Sequence, residues 1–179
     1  MAQISQEQAK ANALARFAAT GPDHVNCAQA VVAFSLEVME QDPDLLVIGR
    51  YFGGGLAGMG EACGAITGAA LALGLRDYCD SRTEPDRPGL TTDQLKAIIR
   101  DFGGEFGARR CADLTGHDLS TSEGRELFMQ SEIREKCGTY VGWVCDRLAP
   151  LLVEWETSAR GFEKTPGAAP TTGRPPKLS

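Results

Sequence analysis

The sequence predicts an all-α fold, a single-domain bundle of about six to seven helices. Two observations indicate this class: apolar residues recur every three or four positions along most of the chain, and capping residues precede several of these runs. No segment shows the apolar–polar alternation of a half-buried strand. We expect the helical domain to span residues 1–157, and a disordered tail rich in proline and glycine to span residues 158–179.

Each predicted helix has a local signal at its start or end. Asn26 with Gln29, and Ser120 with Glu123, have the spacing of a capping box, in which two side chains satisfy free amides at a helix start. Pro43 suits a first helical turn, because the amide that proline lacks would have no partner there. In chain order, the predicted helices are residues 4–19, 27–39, 43 to a glycine-rich loop at 53–60, 61–75, 92–114, 121–130 and 137–155.

The helix predicted over residues 61–75 is crowded with small residues. Glycine inside a helix costs roughly 1 kcal/mol relative to alanine, so Gly64 and Gly68 need a compensating contact. Close approach of a neighbouring helix or of a ligand would supply that contact.

Composition and charge exclude several classes of function. The chain has 18 Lys and Arg against 24 Asp and Glu, a formal net charge of −6, which does not suit nucleic acid or an anionic membrane surface. No apolar run approaches the ~20 residues that span a bilayer, and the first residues lack the features of a secretory signal. We therefore expect a cytoplasmic protein that neither binds nucleic acid nor inserts into a membrane. A homo-oligomer is compatible with this composition.

The cysteines are the residues that carry chemical information. In a reducing cytosol, disulfides are rare unless they are catalytic or redox-sensing. No two cysteines form a Cys-x-x-Cys pair, which excludes the usual local signatures of thioredoxin-type centres, zinc ribbons and c-type haem attachment. The six are Cys27, Cys63, Cys79, Cys111, Cys137 and Cys145.

Three of them are expected at helix N-termini: Cys27, Cys63 and Cys137. A helix N-terminus presents free amides and a partial positive charge, which favour a thiolate over a thiol. Gly60 and Gly64 flank Cys63, so backbone amides can approach sulfur closely. These positions predict activated thiols.

Basic residues adjoin two cysteines, since Lys136 precedes Cys137 and the pair at 109–110 precedes Cys111. The other two cysteines have simpler interpretations. Cys145 is expected in the core of the last helix, and Cys79 is incidental, because flanking acids raise the pKa of a thiol.

Five segments of the chain resemble the successive motifs of the C-GCAxxG-C-C family, which is described as redox-active proteins with four characteristic cysteines. The resemblance extends over roughly residues 5–155. It implies that Cys27, Cys63, Cys111 and Cys137 are the four family cysteines and form one site, whereas the other two match none. The segments are residues 26–31, 58–68, 111–116, 118–125 and 137–141.

Several chemistries remain open at these four cysteines. They could serve thiol–disulfide exchange or electron transfer with a redox partner protein, as part of an oxidoreductase, or hold an iron–sulfur cluster. A structural zinc ion, or a partner-binding module without redox chemistry, is a further alternative. If a metal or cluster is bound, the same four cysteines are the expected ligands, with Gly60 and Gly64 beside the cofactor. No haem is expected, because the chain has no Cys-x-x-Cys-His.

Other candidate residues have simpler interpretations. His24 and His117 are the two histidines, and each is expected in a solvated loop rather than on zinc. The glycines at 53–55 lack the preceding strand and the following Gly-Lys-Ser/Thr of a phosphate-binding loop. Trp143 and Trp155 are expected to anchor the last helix rather than to carry a cofactor.

Overall fold

The computed structural model describes residues 4–80 and 87–153, and within them the regular structure is helical, with one isolated β-bridge. The prediction of an all-α fold is confirmed. Two short 3-10 segments, Gly21–Asp23 and Pro43–Gly49, flank the second helix. The tail predicted over residues 158–179 lies outside the described residues, as does Trp155. The α-helices are α1 (Gln6–Ala18), α2 (Cys27–Val38), α3 (Gly64–Asp80), α4 (Arg87–Phe106), α5 (Cys111–Thr115), α6 (Ser122–Gln130) and α7 (Ile133–Val153).

Helix α2 is the central element and packs against α1, α3 and α7. It is apolar on almost every side, and Val31, Val32 and Phe34 are almost fully buried. A helix that is hydrophobic all round belongs in a core. Its predicted capping box is confirmed, with the Gln29 amide donating to Oδ1 of Asn26 at 2.9 Å.

Small residues allow α3 to lie close against α2. A methyl group on Gly68 would meet the carbonyl oxygen of Ala28 and Cβ of Val31, both at 2.8 Å. The compensating contact expected for this glycine is therefore a neighbouring helix, whose packing a side chain here would prevent.

A buried arginine ties three helices together at the other end of α3. The Arg76 side chain is 2% exposed and forms a salt bridge with Asp77 at 2.9 Å. Its guanidinium also donates to Oγ1 of Thr91 at 2.6 Å, to Oε1 of Gln94 at 3.1 Å and to the carbonyl of Leu151 at 3.2 Å. Because every donation goes to α3, α4 or α7, Arg76 fixes how these helices meet.

Three predicted helix boundaries near the cysteines are wrong. Helix α3 begins at Gly64 rather than 61, because residues 61–63 pair with another segment. The predicted helix 92–114 is two helices, since Gly107 adopts φ +77° and ends α4, so that α5 begins at Cys111. Helix α7 begins at Ile133 rather than at Cys137.

Two further helix starts differ from the prediction. Helix α4 begins at Arg87 rather than 92, because Pro88 is tolerated in a first helical turn. Thr121, not Ser120, caps α6 by accepting the amide of Gly124 at 3.0 Å. Ser120 donates instead to the Asp118 carboxylate at 2.5 Å.

Candidate functional site

Four segments carry Cys27, Cys63, Cys111 and Cys137, and the structure places three of these residues at helix starts. Cys27 and Cys111 are the first residues of α2 and α5, and Cys63 immediately precedes α3. Cys137 lies inside α7, so the prediction that it opens a helix is wrong. The helix-start trio thus includes Cys111, which the sequence did not predict.

An isolated antiparallel β-bridge, with the hydrogen bonds beside it, forms a short ladder between the segments of Cys63 and Cys111. Ala62 and Arg110 form the bridge, the Cys63 amide donates to the carbonyl of residue 109 at 2.9 Å, and the Cys111 amide donates to that of residue 61 at 2.6 Å. Each cysteine follows a bridged residue, so the two are diagonal neighbours on one face of the ladder. The exposed Glu61 and Arg110 side chains form a salt bridge of 3.3 Å outside it.

Glycines let backbone approach the sulfur of Cys27. A methyl group on Gly64 would overlap Sγ of Cys27. On the other side, a methyl group on Gly53 would lie 2.6 Å from Cβ of Asn26, whose side-chain amide holds the carbonyls of Gly49 and Arg50 at 3.2 and 2.9 Å. Gly64 thus lies close to the sulfur of Cys27, whereas the sequence predicted a close approach to the sulfur of Cys63.

The loop between these glycines makes a left-handed turn. Five consecutive residues, 54–58, have positive φ angles, and two of them are not glycine: Leu56 (65°) and Ala57 (53°). Each residue other than glycine with a positive φ costs roughly 1–2 kcal/mol of conformational free energy, so the surrounding contacts must hold the turn in place. Gly55 provides one of them, because a methyl group there would lie 2.6 Å from Cβ of Cys111. Gly60, with φ +71°, lies against Ala112 in the same way.

Burial raises the pKa of every thiol in this group. It raises the pKa of Cys111 and of Cys137 to about 12, and that of Cys63 further. The expectation that helix starts and neighbouring cations would favour thiolates is therefore wrong, because removal from water outweighs both. At neutral pH the reduced group is a set of neutral thiols.

The four thiols also interact with one another. A negative charge on Cys27 raises the pKa of the other three, and charges on Cys111 and Cys137 add to the rise at Cys63. Coulomb effects of this kind weaken with distance and are strongest where water is excluded. The four side chains therefore make one electrostatic group, hereafter the thiol cluster.

Cys27 differs from the other members of the cluster. Burial raises its pKa too, but backbone amides of Gly54, Ala28, Gly64 and Cys27 itself donate toward the sulfur and lower it. Cys27 and Cys137 are half-buried, whereas Cys63 and Cys111 are 5% and 7% exposed.

Residues 25–151 match the family described as "Putative redox-active protein (C_GCAxxG_C_C)". The match covers well over half of the 179 residues and includes the whole thiol cluster. The chain belongs to this family. No curated protein and no solved structure matches it. The C_GCAxxG_C_C match begins after α1, so the first helix lies outside the matched residues.

An aromatic residue outside the sequence-predicted site borders the cluster of this C_GCAxxG_C_C chain. Tyr140 follows Cys137 by three residues on α7, and charges on Cys137, Cys63 and Cys111 raise the pKa of its phenol, after burial. Its ring packs edge-to-face on Phe106 and Phe102, at centroid distances of 4.7 and 5.7 Å. The spacing of three was the signal that could have revealed it, because it puts both side chains on one helix face.

The remaining cysteines differ in how far the structure describes them. Cys145 is fully buried in the core, as expected, and burial raises its pKa to about 12. The backbone of Cys79 belongs to α3, and its side chain lies outside the described part of the structure.

The other candidates do not join the cluster. Nδ1 of His24 lies 3.1 Å from the carbonyl of Phe17, and His117 packs on Phe128. Trp143 packs on the aromatic rings of α4. Within residues 4–80 and 87–153, no group of three or more Cys, His, Asp or Glu side chains is arranged to hold a metal ion, and no helix is long and apolar enough to cross a membrane.

Proposed function

We propose that the chain is a thiol–disulfide redox protein whose site is formed by Cys27, Cys63, Cys111 and Cys137. The observation that carries this proposal is the contact between cysteine segments from distant parts of the chain. A β-bridge pairs the segments of Cys63 and Cys111, Gly64 lies against Sγ of Cys27, and the mutual electrostatic effect of the four thiols agrees with this. In the proposed reaction, two thiols of the cluster give up two protons and two electrons to a partner's disulfide. The cluster then holds one disulfide and the partner holds two thiols.

Cys27 is the proposed attacking thiol. It combines the first position of the 12-residue helix α2 with amide donation from the glycine-rich loop. These amides lower the pKa of Cys27 against the effect of burial, which supports Cys27 as the thiol that ionises first. Because only a thiolate attacks a disulfide, the first thiol to ionise starts the exchange.

The test is oxidation of the reduced, full-length chain by oxidised glutathione without oxygen, followed by thiol alkylation and intact-mass analysis. We expect the loss of two hydrogen atoms for each disulfide formed, with peptide mapping placing it among the four cysteines. Cys27→Ser should slow its formation at least tenfold. Cys145→Ala, the matched control, should not alter it. A wild-type chain that keeps all thiols free under these conditions contradicts the proposal.

The iron–sulfur alternative has a specific observation in its favour, since amides directed at a ligand sulfur are a feature of such clusters. Metal analysis and an absorption spectrum of the anaerobically purified chain separate the alternatives. Stoichiometric iron, together with a visible chromophore that Cys63→Ser lacks, would overturn the disulfide proposal in favour of an iron–sulfur cluster. Stoichiometric zinc without disulfide formation would overturn both of these proposals in favour of a structural zinc site.

A further inference from the structure

Tyr140 has a polar group that nothing in the described structure uses. The residue is 9% exposed, and its hydroxyl has no hydrogen-bond partner within residues 4–80 and 87–153. Leaving a buried hydroxyl without a partner costs roughly 1–3 kcal/mol, so such a group calls for an explanation. The aromatic ring alone would pack equally well as phenylalanine.

The surroundings of Tyr140 limit what its hydroxyl can meet. The ring packs edge-to-face against Phe102 and Phe106, which are hydrocarbon side chains. The side chain shares a helix face with Cys137, and the electrostatic effects on the phenol come from Cys137, Cys63 and Cys111.

We infer that Tyr140 is the proton donor to the sulfur that leaves when a disulfide within the thiol cluster is broken. This inference rests on the proposed thiol–disulfide function. A leaving sulfur first carries the electron pair of the broken bond, and a buried thiolate without a donor is costly. Since all three thiols beside Tyr140 are protonated in the reduced state at neutral pH, a proton must reach whichever of them has left.

The steps balance as follows for reduction by a dithiol. One reductant thiolate attacks a cluster sulfur, a new S–S bond forms, and the old bond breaks with its electron pair on the second cluster sulfur. That sulfur takes the Tyr140 proton, and the phenolate recovers a proton from water. The second reductant thiol loses its proton to water and attacks the mixed disulfide, releasing the cyclic oxidised reductant. The first cluster sulfur leaves as a thiolate and is protonated by water, which completes the two-electron reduction.

Two properties of Tyr140 suit this role. Burial and the neighbouring thiolate charges raise its pKa, so the phenol keeps its proton across the physiological range and is available to donate. Its position is fixed by packing against two aromatic side chains, one of which, Phe102, is fully buried. A donor held in place before the reaction loses little entropy when the thiolate forms.

The experiment compares Tyr140→Phe with wild type, using Tyr78→Phe as the matched control. Tyr78 is half-exposed and lies 14 residues after Gly64 on α3, about 21 Å along the helix from the cluster. Each chain is oxidised by glutathione disulfide and then reduced by dithiothreitol. The rate is divided by the concentration of dithiothreitol thiolate at each pH. Thermal unfolding of each variant serves as the structural readout.

We expect the disulfide of Tyr140→Phe to be reduced roughly 10- to 100-fold more slowly than that of wild type between pH 7 and 9. A rate change of this size corresponds to the loss of a hydrogen bond to a charged group. Wild type and Tyr78→Phe should show a solvent deuterium isotope effect that Tyr140→Phe lacks. Equal rates and isotope effects in all three chains would overturn the inference. So would a slower rate in Tyr140→Phe that retains the full isotope effect, because the phenol would then act only through packing.

The two proposals fail in different ways. If oxidation leaves the four cysteines as free thiols, the thiol count before the kinetic step already overturns both. If a cluster disulfide forms and its reduction is indifferent to the phenol, only the role of Tyr140 is overturned.

Discussion

The thiols of Cys111, Cys137 and Cys145 share a pKa of about 12, although they occupy a helix start, a helix interior and the hydrophobic core. Their common feature is removal from water, which disfavours the charged form. Backbone amides at a helix start change the pKa of a thiol less than burial does. Their effect is clearest at Cys27, where they partly offset the rise in pKa that burial causes. At the scale of single residues, burial sets the ground state of the cluster, and backbone amides modulate it at Cys27.

These pKa values predict that the reduced protein becomes less stable above pH 9. Folding raises the pKa of Cys145 from its ordinary value near 9 to about 12. Its contribution is therefore fully present below pH 9 and is lost as pH rises toward 12, because only the unfolded chain then releases the proton. We expect each such thiol to lower the free energy of unfolding by about 1.4 kcal/mol per pH unit in this range.

Urea unfolding under reducing conditions at pH 7–10.5 measures this slope. Cys145→Ala should reduce this slope by the contribution of one proton, whatever the absolute stability of the variant. A slope unchanged by the substitution would mean that Cys145 ionises equally in the folded and unfolded chains.

Two glycines of helix α3 should respond oppositely to alanine. Gly64→Ala puts a methyl group on Sγ of Cys27 and should cost about 1–3 kcal/mol, while slowing disulfide formation. Gly74→Ala meets no atom within 4 Å and should stabilise the chain by about 0.5–1 kcal/mol, since alanine is the better helix former. Urea unfolding of both variants tests the pair, and a tolerated Gly64→Ala would contradict the close approach described above.

At the scale of elements, local signals predicted helices well, whereas their ends near the site depended on distant partners. Asn26 and Gln29 satisfy each other, so their capping box was readable from the sequence. The Cys63 amide donates to the carbonyl of residue 109, and the carbonyl of residue 61 accepts from the Cys111 amide, a pairing that no local pattern encodes. The four family cysteines could be assigned by motif, but Tyr140 and Arg76 could not, because their roles depend on which helices meet.

The buried contacts of Arg76 predict that its substitution destabilises the chain far more than substitution of an exposed arginine. Arg76→Met leaves Asp77 and Thr91 without their guanidinium partner and should cost about 2–4 kcal/mol. Arg100→Met, the matched control, removes an ion pair with Asp101 whose arginine side chain is 73% exposed, and should change stability by less than about 0.5 kcal/mol. Chemical denaturation gives both values. Equal effects would show that the contacts of Arg76 do not hold α3, α4 and α7 together.

At the scale of the whole molecule, the C-terminal residues should be dispensable for stability. Residues 165–179 contain four prolines, two glycines and three threonines and few large apolar side chains, so they offer little surface to bury. We expect a chain ending at residue 164 to melt within about 1 °C of the full chain. A loss of several degrees, measured by calorimetry, would indicate that this segment docks on the helical domain.

The burial of the thiol cluster also bears on how the chain must be synthesised. Cys27 and Cys137 lie on α2 and α7, which pack together only in the folded chain, so a newly made or unfolded chain carries its cysteines in water, with ordinary acidity. In that state they are far more easily oxidised than in the finished protein, and wrong pairings would trap misfolded topologies. The completed fold removes these thiols from water, so their period of ready oxidation ends when the last helix docks.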